Sequence, residues 1–367
     1  MSDPSEIPAA DPGALARAHA GELRAAIDRV LTSGHYVLGP EVAAFEQAWA
    51  EFVGVPACVG VANGTEALEL ALRAVGAGPG ARVATVANTV TATAAAIVAV
   101  GAEPVFVEID EATMTMDPAA LADVLARGEV RAVVPVHLYG QMADMPRINE
   151  IARAHGAAVI EDCAQAQGAG WHGVTAGAWG EAGAFSFYPT KNLGALGDGG
   201  AVVARAPEVA ERVRALRQYG WRTRYVADER GRNSRLDELQ AAILRVKLPH
   251  LASENARRAA HAGRYLRGLA GLPLRLPAVP QESTPVWHQF ALRTGKRDAL
   301  RAHLAAARIG SAVLYPVPLH HQPAYRAEVA LPVTERACAE VLCLPVHPTL
   351  TEVEVERVIA RVRTFFA

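Results

Sequence analysis

The stretch Ala184-Phe185-Ser186-Phe187-Tyr188-Pro189-Thr190-Lys191-Asn192 decides how this chain is interpreted, because it sets a lysine in a turn directly after a short apolar run. The glycines that follow are Gly194, Gly197, Gly199 and Gly200. Aromatic walls lower the pKa of an amine by desolvation, and the neutral amine can then form an imine with an aldehyde. A solvated lysine in a glycine-rich loop explains the motif, taken alone, equally well.

Lysine is rare in this chain. Of 36 basic residues among 367, only Lys191, Lys247 and Lys296 are lysines. Few residues are therefore candidates for any amine chemistry.

The sequence around this lysine alternates short apolar runs with longer amphipathic ones, from about residue 39 to residue 204. This alternation is typical of repeated βαβ units and predicts an α/β fold with a mainly parallel sheet. The run 132–136 is apolar on both faces, as a strand covered by helices must be. The predicted strands cover residues 57–61, 82–86, 104–107, 132–136, 157–161, 182–186 and 201–204. The first clear helix is predicted to begin at Gly39-Pro40.

The C-terminal third has a different pattern. A predicted helix over 236–247 is interrupted by Pro249, and an Arg-rich helical stretch and a Pro-dense passage follow. A strand is predicted over 287–292, with helices over 296–307 and 351–366. We therefore expect a large domain over residues 1–248 and a smaller α+β domain over residues 249–367.

Composition narrows the class of protein. A formal net charge of −2 with 20% charged residues gives no electrostatic reason to expect binding to nucleic acid or to an anionic membrane. The N-terminus lacks the features of a signal peptide, and four scattered cysteines do not form a disulfide framework. We expect a cytoplasmic protein that acts on a small molecule.

A carboxylate follows the apolar run that ends in Glu161-Asp162. In open α/β sheets ligands bind beyond the carboxyl ends of the strands, which makes Asp162 a candidate site residue. An Asp at a strand end is as often a helix cap or a metal ligand as it is a catalytic group.

The third element is Asn63-Gly64-Thr65, where a predicted strand turns into a helix. Backbone N–H groups at such a helix start, with the Thr65 hydroxyl, form a phosphate site. An ordinary N-cap by Asn63 or Thr65 is the simpler explanation of this element alone.

Together the three elements match the needs of pyridoxal phosphate. Its aldehyde needs a lysine, its pyridine nitrogen needs an anion, and its phosphate needs an anchor. Lys191, Asp162 and Gly64-Thr65 are the candidates. The GxGxxG of a dinucleotide binder does not follow Val61, and the GxSxG of a serine hydrolase does not occur.

The sequence resembles the sugar aminotransferases of the DegT/DnrJ/StrS family. Matching runs occur in order along nearly the whole chain, and jointly they are specific for the family without identifying the sugar. They are 39–41 with Phe45-Glu46, 62–68, 135–140, 161–166, 185–192, 199–201 and 233–241. The resemblance implies the type I fold of pyridoxal-phosphate enzymes, as in aspartate aminotransferase.

Carried over to this sequence, the resemblance implies that Lys191 is the Schiff-base lysine and moves protons during the reaction. Asp162 would pair with the pyridine nitrogen, and Gln165 would lie near the ring hydroxyl. Gly64, Thr65 and Ser186 would hold the phosphate. Asn233 matches a residue that reaches a neighbouring subunit's cofactor phosphate, so the resemblance implies a homodimer with active sites at its interface.

Candidate substrate residues are less firmly indicated. The run 314–323 resembles the family's substrate-facing loop, with Tyr315 and His320 as candidates for sugar contact. Tyr188, beside the Schiff-base lysine, is a further candidate substrate residue. A Pro-stiffened turn with core aromatics is the alternative. Arg222 and Arg224 are candidates for a nucleotide diphosphate, and a solvated arginine pair is equally compatible with their positions.

The expected reaction moves an amino group from an amino acid, glutamate by family habit, to a nucleotide-linked keto-deoxysugar, at C3 rather than C4. The alternatives are a 4-keto nucleotide sugar or a keto-cyclitol as acceptor, a non-catalytic nucleotide-binding regulatory protein, and a metal site of His137, Asp162 and His172. One departure is Val90, where many relatives carry an aromatic ring that stacks on the cofactor.

Overall fold

The computed structural model describes residues 6–367. Its helices are α1 (Pro12–Ala18), α2 (Ala20–Ser33), α3 (Pro40–Val53), α4 (Gly64–Ala74), α5 (Thr91–Ala99), α6 (Pro118–Ala126), α7 (Met145–Ala154), α8 (Pro207–Leu216), α9 (Glu238–Lys247), α10 (Leu251–Gly268), α11 (Arg297–Ala306), α12 (Pro332–Glu340) and α13 (Glu352–Phe366). Its strands are β1 (Ala57–Val61), β2 (Arg82–Val86), β3 (Glu103–Val107), β4 (Ala132–Val134), β5 (Ala158–Asp162), β6 (Gly170–Trp171), β7 (Val174–Thr175), β8 (Ala182–Ser186), β9 (Gly200–Ala204), β10 (Trp221–Thr223), β11 (Val226–Ala227), β12 (Ser283–Thr284), β13 (Phe290–Arg293) and β14 (Val341–Leu344).

A seven-stranded sheet, ordered β1-β9-β8-β5-β4-β2-β3, forms the centre of the molecule. Every adjacent pair from β8 to β3 is parallel, whereas β9 is antiparallel to both of its neighbours. The predicted α/β fold with a mainly parallel sheet is confirmed.

Helices cover both faces of this sheet, so its strands are apolar throughout. Side chains alternate between the faces along a strand. Val159 of β5 packs in the core with α3, α6 and α7, and its neighbour Ile160 packs in the core with α4, α5 and α8. This double burial explains why the sequence shows short continuous apolar runs instead of a polar alternation.

The seven predicted strands of the sheet are confirmed, with small shifts at their ends. The strand predicted over 132–136 ends at Val134, because Pro135 has no N–H to donate to a ladder. The strand predicted over 287–292 begins only at Phe290, after Trp287, whose φ of 50° is incompatible with an extended strand. Two helices that the sequence pattern did not predict, α1 and α2, precede α3, which was predicted to begin at Gly39-Pro40.

The C-terminal residues have a core of their own, built from α10, α11, α13 and the antiparallel pair β13 and β14. Ile7, at the other end of the chain, is fully buried in this core and pairs with Ile309. The N-terminal segment thus crosses to the C-terminal core. The division at residues 248 and 249 stays a prediction.

No helix within residues 6–367 combines the length and the apolar character that crossing a bilayer requires.

Candidate active site

The carboxyl ends of the parallel strands open on a cavity of about 830 Å³. Asp162 ends β5 and Ser186 ends β8, and α4 begins just after β1, so elements distant in sequence meet at one edge. Eight of the residues predicted for the site line this cavity: Gly64, Thr65, Asp162, Gln165, Ser186, Tyr188, Lys191 and Tyr315.

Lys191 lies in a tight turn whose backbone leaves no free space. Its N–H donates to Tyr188 O at 2.8 Å, and a Cβ at Gly194 would meet Pro189 O at 2.5 Å. Lys247 Nζ donates to Gly194 O at 2.6 Å and fixes the far side of the turn. Burial lowers the pKa of Lys191, and the Asp162 charge opposes this shift. The side chain is therefore closer to the neutral amine than a surface lysine is.

Asp162 is 3% exposed, and its carboxylate is oriented by two donors. The Thr93 hydroxyl donates to Oδ2 at 2.9 Å, and the Ala164 N–H donates to Oδ1 at 3.2 Å. Burial raises the pKa of Asp162, although both hydrogen bonds and the Lys191 charge act against the shift. The carboxylate thus lacks a full counter-charge. The protonated nitrogen of a bound pyridine ring would supply one.

Gln165 has a defined amide orientation. The Tyr139 N–H donates to its Oε1 at 2.7 Å, so its Nε2 must be the end that faces Tyr315, whose Oη lies 2.9 Å away. Burial raises the pKa of Tyr315 to about 12, which keeps its hydroxyl protonated. Tyr139 and Tyr315 both have φ near 60°, a costly region for a side chain of this size. One N–H of Gln165 donates to Tyr315, and the other is left to donate to an oxygen such as a ring hydroxyl.

The start of α4 forms the opposite end of the cavity. Asn63 caps this helix by accepting from the Glu66 N–H at 2.9 Å. A Cβ at Gly64 would lie 2.6 Å from the Ser186 Cβ, so only glycine allows the helix to approach β8 this closely. The first amides of α4 and the Ser186 hydroxyl together form a cradle for an anion.

These groups fit pyridoxal phosphate. The carboxylate of Asp162 has an unmet charge, Gln165 presents a donor, and the missing Cβ of Gly64 lets the start of α4 lie beside Ser186. A lysine with a lowered pKa lies between them in the same cavity. Val90, the position where the resemblance leads us to expect an aromatic ring, also lines this cavity.

Four predicted residues lie outside this cavity. His320 is 1% exposed and its Nε2 lies 3.2 Å from Glu335 Oε1. Arg222 pairs with Asp228 at 3.6 Å, and the Arg224 guanidinium lies over the Tyr225 ring. Asn233 pairs with Gln218 beside α8. Within one chain these side chains do not join Lys191.

The alternative metal site is not assembled within residues 6–367. The His137 ring shares a group of possible ligand atoms with Glu161 and Cys163 and not with the Asp162 carboxylate, and His172 is exposed. Glu161 is fully buried and accepts from His137 Nε2, Gly177 N, Trp179 N and Gly180 N at 2.8 to 2.9 Å. These bonds tie the loop before β8 to β5, so the acid supports the structure beside Asp162.

Sequence reasoning missed several residues of the site. Thr93 on α5 holds Asp162, and the backbone of Tyr139 sets the direction of Gln165. His288, Gln289 and Arg232 also line the cavity. None of these belongs to a motif that carries chemistry by its residue types, so only the fold shows their position.

Known proteins resemble this chain in both sequence and fold. A Streptomyces venezuelae protein named dTDP-3-amino-3,4,6-trideoxy-alpha-D-glucose transaminase is 49% identical over 347 residues, covering 93% of this chain and 91% of its own. A protein of Acidithiobacillus ferrooxidans, named UDP-N-acetyl-3-dehydro-alpha-D-glucosamine 3-aminotransferase, is 44% identical and covers 99% of both chains. The crystal structure of S. venezuelae DesV in complex with a ketimine intermediate superposes with a TM-score of 0.96 at 47% identity, covering 99% of both chains.

The family model of the DegT/DnrJ/EryC1/StrS aminotransferases matches residues 18–363, which include every element of the central sheet. The resemblance seen in the motifs thus extends over the whole fold, and the cavity carries the lysine, the acid and the anion cradle that such a reaction needs. The chain belongs to the DegT/DnrJ/EryC1/StrS aminotransferase family and is a pyridoxal-phosphate-dependent aminotransferase.

Proposed function

We propose that this protein transfers the amino group of L-glutamate to the C3 keto group of a nucleotide-linked deoxysugar. One observation carries the proposal: a single large cavity joins Lys191, Asp162, Gln165 and the start of α4. The two relatives described above are both named as aminotransferases or transaminases of 3-amino nucleotide sugars, which supports the acceptor class and the position C3.

Pyridoxal phosphate, when bound, stores the amino group between donor and acceptor and withdraws electrons from the reacting carbon. Asp162 would supply the negative charge that keeps a pyridine nitrogen protonated. Gln165 would donate to the ring hydroxyl, and Gly64, Thr65 and Ser186 would hold the phosphate. All of these residues line the same cavity as Lys191.

Lys191 carries the proton within each half of the reaction. Burial lowers its pKa, which favours the neutral amine that can act as a base. The Asp162 charge limits that shift, which lets the protonated form also exist as an acid. A residue that must both take and give a proton works best with a pKa moved towards neutrality.

Tyr188 and Tyr315 line the cavity and are the proposed contacts of the sugar. Tyr188 is 53% exposed at the mouth, where a bulky nucleotide-linked substrate has to enter. His320 belongs to this proposal only if the loop beside it moves. Arg222 and Arg224 are exposed, and we place the diphosphate of the substrate near them in the assembled protein.

A homodimer is the proposed active unit, with Asn233 reaching the partner's cofactor phosphate. An exposed apolar patch, which we call the mouth patch, includes the loop that follows Lys191. Its members are Tyr36, Val37, Leu196 and Leu239, which are 55%, 50%, 46% and 36% exposed. Val37 pairs with Asp237, and the Leu196 N–H donates to Gln240, so these residues are contiguous. A contiguous apolar surface of this kind favours burial against a second copy.

We place the protein in the cytoplasm. All four cysteines are buried thiols that form no disulfide, as expected in a reducing compartment.

The deciding experiment incubates the pure protein, pyridoxal phosphate and L-glutamate with a panel of 3-keto and 4-keto nucleotide sugars and a keto-cyclitol. The proposal expects 2-oxoglutarate to form with a 3-keto nucleotide sugar and not with Lys191→Ala. Turnover only with a 4-keto sugar or a cyclitol would move the acceptor to one of those classes. A protein that neither binds pyridoxal phosphate nor turns over would instead be a regulatory module.

A further inference from the structure

A small crevice adjoins the large cavity at Lys191, and Arg258 is one of the residues that line it. The two spaces share six lining residues, Ala9, Ala10, Thr190, Lys191, His288 and Gln289. The crevice has a volume of about 20 Å³, enough for one water-sized atom such as a carboxylate oxygen. A small anion held at Lys191 can therefore extend one oxygen towards Arg258.

Arg258 is a buried cation that forms no ion pair with any residue in the described range 6–367. It is 5% exposed, and its one hydrogen bond, from Nη1 to Trp287 O, is long at 3.4 Å. Burial lowers the pKa of Arg258 to about 10, so the side chain stays charged at neutral pH. A buried charge without a partner is costly, and a bound anion removes that cost.

The acids near Arg258 are engaged elsewhere. Glu254, one turn earlier on α10, lies 3.5 Å from His19 and acts on Arg258 only at longer range. Asp11, which lines the crevice, accepts from the Ala14 N–H and pairs with Arg17. The crevice therefore keeps a net positive charge beside Lys191.

His288 lines the crevice together with Lys191 and Arg258 and does not neutralise either. Asn192 Nδ2 donates to Asn255 Oδ1 and Val286 O, so Asn192 Oδ1 accepts from His288 Nδ1 at 3.1 Å. Burial lowers the pKa of His288, and the charges of Lys191 and Arg258 lower it further. The wall of the crevice is thus a neutral imidazole held in one orientation.

We propose that Arg258 binds the α-carboxylate of the amino donor, which makes the crevice behind Lys191 the donor subsite. The inference rests on the proposed function for the identity of the donor. It assigns the donor and the sugar to different walls of one cavity. The sugar side contains Tyr188 and Tyr315, and the donor side contains His288 and Arg258.

Binding of 2-oxoglutarate to the cofactor-loaded protein tests the proposal without requiring turnover. Calorimetry gives its dissociation constant for Arg258→Gln, Arg258→Lys and the matched control Arg257→Gln, whose arginine is the exposed neighbour on α10. We expect Arg258→Gln to weaken 2-oxoglutarate at least ~30-fold, since losing one partner of a buried charge pair has effects of this size. Arg258→Lys should lose less, and Arg257→Gln should stay within about twofold.

A merely structural role gives a different result. Under the proposal, Arg258→Gln leaves the dissociation constant of dTDP unchanged; dTDP is the probe of the sugar side. In the same variant the KM for glutamate rises more than kcat falls. Equal loss of dTDP and 2-oxoglutarate affinity, unchanged 2-oxoglutarate affinity, or no binding to the wild type would each overturn it. If Arg258→Gln does not fold, Arg258→Lys decides by the same comparison.

The proposed function fails separately. A wild-type protein that aminates no keto sugar from glutamate contradicts the proposed function, whereas the binding comparison still decides the role of Arg258.

Discussion

The Thr93 hydroxyl donates a 2.9 Å hydrogen bond to Oδ2 of Asp162, and both residues are buried. Because the Thr93 proton is used in this bond, the Thr89 hydroxyl, 3.2 Å away, is the donor to Thr93. The start of α5 thus orients the acid that ends β5. Yet burial still raises the Asp162 pKa, so two hydrogen bonds do not replace a counter-charge.

Asp162→Asn should separate cofactor binding from folding. A carboxyl whose pKa is raised by folding holds its proton more tightly in the folded state, so it stabilises the fold below its unfolded pKa, and this stability is lost as pH rises. The neutral amide avoids that loss. At pH 7 the cofactor-free variant should therefore melt no lower than the cofactor-free wild type, and the difference should shrink towards pH 4.

The same substitution should impair the loaded enzyme. Turnover should fall about 100-fold, since a positioned charge in an active site has effects of this order. Scanning calorimetry with and without pyridoxal phosphate, beside a turnover assay, checks both parts. Unchanged turnover, or a cofactor-free variant that melts well below the wild type at pH 7, would contradict the assigned role.

Gly64→Ala should destabilise the protein and weaken its hold on pyridoxal phosphate. The new Cβ would lie 2.6 Å from the Ser186 Cβ, so α4 and β8 must move apart. Overpacking of this kind costs about 1–3 kcal/mol in the free energy of unfolding. Gly21→Ala is the control, because nothing lies within 4 Å of a Cβ there and alanine favours the helix α2. Urea unfolding and cofactor titration measure both effects, and equal behaviour of the two variants would count against the cradle.

Val37→Lys should convert the proposed dimer to a monomer and reduce turnover, because it places a charge in the mouth patch. The control is Val353→Lys on α13, where the side chain is 78% exposed and outside that patch. Light scattering coupled to size-exclusion chromatography measures the mass. A wild-type monomer, or a Val37→Lys dimer with full turnover, would contradict the proposed dimer.

The sequence predicted the residues whose types are themselves the chemistry. An amine, an acid and a glycine at a helix start each follow a strand, and a parallel sheet brings such positions to one edge. Lys191, Asp162 and Gly64 were found in this way and do line one cavity.

The supporting residues could not be predicted, because their role depends on distances between segments far apart in the chain. Thr93 is an ordinary threonine until α5 lies against Asp162, and Arg258 is one of many arginines until its burial is known. Asn233, Arg222 and Arg224 lie outside the cavity of a single chain, so their predicted roles depend on a second one.

The most direct test of the account is the position of the cofactor's covalent bond. The chain has only three lysines, Lys191, Lys247 and Lys296, so borohydride reduction of the loaded protein followed by peptide mass spectrometry can distinguish every possibility. The account predicts a pyridoxyl group on Lys191 alone, absent after prior incubation with L-glutamate. A label on Lys247 or Lys296, or no label in a protein that turns over, would contradict it.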